Sequence, residues 1–67
     1  MSIVDEQAQL RKAAEAGDSV AENELAISLA EQGKTQEAEI WWRKAAEAGD
    51  WDAADNLGML LQLSAPA

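Results

Sequence analysis

The side chains able to do chemistry in this 67-residue chain are nearly all carboxylates. Thirteen Asp and Glu stand against five Lys and Arg, with no histidine and no cysteine. Imidazole and thiol, the commonest general base and the strongest nucleophile, are therefore missing. The hydroxyls of Ser19 and Thr35 follow Gly17-Asp18 and Gly33-Lys34. Asp18 or Ser19, then Thr35, then Asp50, are expected to cap the helix that follows by accepting a hydrogen bond from an orphan backbone N–H. Ser19-Val20-Ala21-Glu22 fits the reciprocal form of such a cap, and Ser2-Ile3-Val4-Asp5 is a weaker version. Asp50, Asp52 and Asp55 crowd together, but a calcium loop requires a set spacing, a sharp glycine turn and a closing glutamate. The segment has none of these. Acids in the first turn of a helix are favoured by its dipole, which suffices to explain them. The expectation is a non-enzyme that uses neither metal nor cofactor.

The three tryptophans need elements to position them, and the composition supplies only one kind. Fifteen alanines, a single proline at Pro66, and few β-branched residues make an all-α composition. Gly17, Gly33 and Gly49 recur every 16 residues, each where a helix would end on a left-handed residue. Helices are expected over 3–16, 19–32, 35–48 and 51–63, with residues 64–67 as a frayed tail of a single 1–67 domain. The apolar positions fall on helical stripes. These are Ile3, Leu10, Ala13 and Ala14; then Ala21, Leu25, Ala26 and Leu29; then Ala38, Trp42, Ala45 and Ala46; then Ala53, Ala54, Leu57, Gly58, Leu60 and Leu61. Trp42 is expected in the core and Trp41 half exposed beside it. Trp51 is expected either to plug the end of the core or to anchor a partner. The short connections make neighbouring helices antiparallel.

The segment RKAAEAGD stands at 11–18 and again, unchanged, at 43–50. At the same 32-residue offset Ala21 meets Ala53, Leu25 meets Leu57, Ala26 meets Gly58, Ile27 meets Met59 and Leu29 meets Leu61. A period of this length marks a helical repeat whose units bury their apolar faces on one another. The small residues, Gly58 included, are expected where helices approach closely.

From Ala38 to Leu61 the chain reads AxxWWRKAAEAGDxxAxxxLGxLL. This resembles the Sel1-like repeats, a branch of the tetratricopeptide superfamily. Trp41-Trp42, Lys44-Ala45-Ala46, Gly49 and Leu57-Gly58 stand at the family's marked positions. The chain departs from the pattern at LAEQGKTQEA, an ordinary short turn, and at Gln9-Leu10, where the two tryptophans stand later. The resemblance implies antiparallel helical hairpins forming a short right-handed solenoid of about four helices. One complete repeat, 19–48, would be flanked by half repeats. The last helix would then lack a covering element. It also implies a peptide-binding concave face made of Val20, Asn23, Ile27, Ala30 and Glu31 with Asp52, Asp55, Met59 and Gln62. That face holds no Lys or Arg, so a bound peptide is expected to be apolar or basic.

A chain this small buries only about 60% of its unfolded surface, so a partner subunit is the expected supplement. The function expected is non-catalytic protein–protein interaction, as an adaptor or regulatory binder. Self-association, a dimer first, or capture of a protein or peptide would use Leu57, Leu60, Leu61 and Leu63, with Trp51 and Met59 at the edge. A net charge of −8 repels nucleic acid and anionic membranes. It also motivates an alternative, a small acidic inhibitor that mimics nucleic acid toward a basic protein surface. No apolar run approaches the roughly 20 residues of a membrane span, and the acidic start is unlike a secretory signal. A cytoplasmic location is therefore expected.

Overall fold

A computed structural model of the chain describes the backbone of residues 3–64 and the side chains of 6–63. The weaker capping box at Ser2–Asp5, the Ile3 side chain and tail residues 65–67 lie outside the described residues. Four helices follow one another, and no strand occurs among the described residues: α1 (Ile3–Glu15), α2 (Ser19–Glu31), α3 (Thr35–Glu47) and α4 (Trp51–Ser64). Ser64, expected in the tail, belongs to α4.

The helix ends are set by three copies of one device. Gly17, Gly33 and Gly49 have φ of 98°, 85° and 100°, a conformation that costs glycine little and other residues a good deal. Around each, two hydrogen bonds close the preceding helix. The N–H of Gly17 reaches the carbonyl of Ala14 at 3.1 Å, and that of Asp18 reaches Ala13 at 3.2 Å. Gly33 to Ala30 and Lys34 to Leu29 repeat the pattern at 3.0 and 2.8 Å; Gly49 to Ala46 and Asp50 to Ala45 do so at 3.0 Å each. This crossed pair satisfies carbonyls that a helix end would otherwise orphan.

The helices start at the expected residues, 3, 19, 35 and 51, but the caps are not all the expected ones. The position after each glycine is already the cap, so Ser19 and Thr35 are the first helical residues and not caps. Asp18 is extended, and its Oδ1 accepts from the N–H of Val20 at 3.0 Å and of Ala21 at 3.2 Å. Of the two candidates, Asp18 and Ser19, the carboxylate of Asp18 is the cap, and the Asp18 carbonyl accepts from the Glu22 N–H at 2.9 Å. The Ser19–Glu22 box does not form, and Glu22 is buried instead. Asp50 Oδ1 likewise accepts from Ala53 N–H at 3.2 Å. Lys34 holds the same position before α3 and makes no side-chain cap.

The core is built mostly of alanine. Ala14, Ala21, Leu25, Ala26, Leu29, Ala38, Trp42, Ala45 and Ala53 form one buried cluster. Leu10, Ala13, Ala30, Trp41, Ala46, Leu57 and Leu60 pack partly buried against it. Each helix packs on its neighbours in sequence, α1 on α2, α2 on α3, and α3 on α4. The result is a row of helices with extents of 42 × 25 × 14 Å. In such a row an inner helix is covered on two sides. Accordingly α2 buries Ala21, Glu22, Leu25, Ala26 and Leu29, a face too wide for a single neighbour. Trp41 is half-buried, as expected, with the Lys44 ammonium 4.9 Å from its ring centroid, a cation–π contact.

Candidate interaction surface

The 32-residue repeat makes α4 the counterpart of α2, so the two can be compared position by position. Ala21 and Ala53 are both buried. Leu57 and Leu60 are half-buried and pack on the core, as the face of α4 that meets α3. The counterparts then diverge. Glu22, Ala26 and Leu29 are buried in α2, whereas Ala54, Gly58 and Leu61 are exposed in α4. Leu29 is 0% exposed and Leu61 is 46% exposed. These positions differ because α2 lies between α1 and α3, while α4 packs on α3 alone as its neighbour in sequence. Ala54, Gly58 and Leu61, spaced i, i+4, i+7, therefore form the strip that α3 covers on α2 and that no described residue covers on α4.

Gly58 was expected at a close helix approach. In this structure a Cβ built on it would meet nothing within 4 Å. The close approach exists at its counterpart Ala26, fully buried, and is lacking at Gly58 because no helix lies there. Trp51 does not plug the end of the core; it is 83% exposed. Met59 and Leu63 are also exposed, at 60% and 83%. The expected apolar strip thus splits. Leu57 and Leu60 belong largely to the α3 contact, while Leu61, Leu63, Met59 and Trp51 are open to solvent. Ala54 and Gly58 complete the open strip and were missed as site residues, since the repeat offset pairs them with Glu22 and Ala26 without showing that the cover differs.

The stripe expected to be concave behaves less uniformly. Val20, Ile27, Glu31, Asp52, Asp55, Met59 and Gln62 are exposed, and Ala30 is half-buried. Asn23 is half-buried and serves the scaffold. Its Oδ1 accepts from Trp42 Nε1 at 2.9 Å and from Asn56 Nδ2 at 3.0 Å. One amide oxygen thereby ties α2 to α3 and to α4, and both its lone pairs are used. Asn56 had no signal in the sequence: its repeat counterpart is Glu24, so the bond joins unlike positions. Among the described residues no group of three or more acids could hold a metal ion, and no helix is long and apolar enough to cross a membrane. A shallow depression lined by Gly33, Lys34, Thr35, Gln36 and Glu37 lies at the start of α3 and is open to solvent. No family model, curated protein or solved structure matches the chain.

Proposed function

We propose that this chain is a non-catalytic interaction module, a segment of right-handed helical repeat of the Sel1-like kind, which binds protein through the uncovered face of α4. One observation carries the reading. Residues that the repeat buries in α2 stand open in α4, with Leu29 at 0% and Leu61 at 46% exposure. Covering such apolar surface is worth about 25 cal/mol per Å² before the cost of association. At about 100° per residue, Trp51 stands beside the strip on α4, whereas Met59 and Leu63 are exposed on other faces of the helix. Exposed indole and thioether groups are common anchors at protein interfaces.

The test contrasts two equivalent leucines. Leu61→Asp places a charge where α4 is open to solvent. It should leave helix content by circular dichroism intact while abolishing self-association or partner binding measured by light scattering or calorimetry. Leu29→Asp places the same charge in the core and should unfold the chain. Equal assembly by wild type and Leu61→Asp would overturn the reading. Mimicry of nucleic acid toward a basic surface rests on the net charge of −8. It separates from apolar docking by salt, since charge-driven binding weakens steeply as the screening length shortens.

A further inference from the structure

We infer that the occupant of the α4 strip is a single helix lying antiparallel to α4 with the chemistry of α3: a small residue, then a Trp four positions on, then a small residue three positions beyond. This rests on the reading of α4 as an interaction surface and names what that surface takes. The protein contains the solved version of the same recognition problem. On α2 the strip Glu22, Ala26, Leu29 is covered, and the covering helix α3 buries Ala38, Trp42 and Ala45 against its neighbours. On α4 the strip Ala54, Gly58, Leu61 offers the same spacing with a smaller residue at two of three positions. A helix of the α3 kind therefore meets no added bulk there.

The polar contacts repeat as well. Trp42 Nε1 donates to Asn23, and the counterpart of Asn23 is Asp55, whose exposed carboxylate is also an acceptor for an indole N–H. An antiparallel helix brings its C-terminal half to the N-terminal half of α4, which carries Asp52 and Asp55 and no basic residue. In α3 that half carries Arg43 and Lys44. Charge thus favours the same orientation. A second copy of the whole chain is the poorer occupant. Two chains of −8 repel, and α1, the helix whose sequence repeats α3, has Leu10 and Glu6 where α3 has Trp42 and Ala38. Docking α1 in this way would bury the Glu6 carboxylate at a position that is fully enclosed in α3, a costly placement for an unpaired charge.

The experiment adds a fluorescent, end-blocked peptide of residues 34–50 to the full chain and follows anisotropy. The peptide carries four acids and three bases, so general attraction to an acidic protein does not drive binding. The expected result is saturable one-to-one binding, weakened at least about tenfold, or 1.4 kcal/mol, in a Trp42→Ala peptide. Two protein variants locate the site. Gly58→Ala should bind as wild type, because alanine stands at the covered counterpart. Gly58→Leu should stay folded, since a Cβ there meets nothing within 4 Å, yet lose the peptide by at least about tenfold because the helices can no longer close. No saturation by about 1 mM peptide, or binding indifferent to Gly58→Leu and Leu61→Asp, overturns the proposal. If the peptide fails but the chain alone forms a dimer that Leu61→Asp dissolves, a second copy is the occupant: this proposal falls and the interaction reading stands. If Leu61→Asp changes neither mass nor any binding, both fall.

Discussion

At the scale of single residues, three glycine turns carry three different residues at one structural position. Asp18, Lys34 and Asp50 each donate a backbone N–H to a carbonyl of the helix before and accept at their own carbonyl from the helix after. Asp18 and Asp50 add a carboxylate cap to the helix after, and Lys34 makes no side-chain cap. Lys34→Asp should therefore add a cap to α3 and place a negative charge at its positive end. The gain should be about 1 kcal/mol, read as an upward shift of the thermal midpoint of about 4–8 °C. Asn23 is the opposite case, a residue whose removal leaves others stranded. Asn23→Ala orphans the Trp42 indole N–H and the Asn56 amide, and denaturant titration should show a loss of about 1–3 kcal/mol. The caps were half legible, since an acid or hydroxyl after glycine signals a helix start; which of the two caps depends on where the left-handed residue places the chain. The amide bridge was illegible, because it joins positions that the repeat does not pair.

At the scale of elements, α2 and α4 show what a neighbour contributes. Their sequences align residue for residue, yet one is enclosed by helices on both sides and the other leans on α3. The mid-helix glycine of α4 makes the contrast measurable. Glycine inside a helix costs about 0.5–1 kcal/mol relative to alanine, and at Gly58 nothing nearby forbids a methyl group. Gly58→Ala should therefore stabilise the isolated chain by that amount in urea titration. Unchanged or lower stability would overturn this account of Gly58. Legibility at this scale was high for the number, order and extent of the helices. Each of the first three ends one residue before the expected boundary, which falls at a residue whose N–H is shared between the carbonyls three and four positions back.

At the scale of the whole molecule, a thin row of helices with an alanine-rich core carries a net charge of −8. Self-repulsion of that size opposes compaction and is screened by salt. The thermal midpoint should rise between about 10 mM and 150 mM sodium chloride, where the screening length falls from about 30 to 8 Å, and a flat profile would show that the carboxylates lie too far apart to interact. The one ion pair found among the described side chains, Arg43 with Glu39 at 2.8 Å, is exposed and adds little against this trend.

The amino-acid sequence by itself determined the helices and their succession. Alanine and leucine at helical spacing and glycine at every sixteenth place act within a few residues, so they need no distant partner to take effect. The same local logic placed Trp42 in the core and Trp41 on its flank. Only the tertiary structure decided which apolar residues were spent. Leu25 and Leu57, Ala26 and Gly58, Leu29 and Leu61 read alike in the chain. Burial is not a property of a side chain but of what stands opposite it, and that is fixed by the position of the helix in the row. The exposure of Trp51 and the two hydrogen bonds to Asn23 belong to the same class, since each depends on where the helices lie in space.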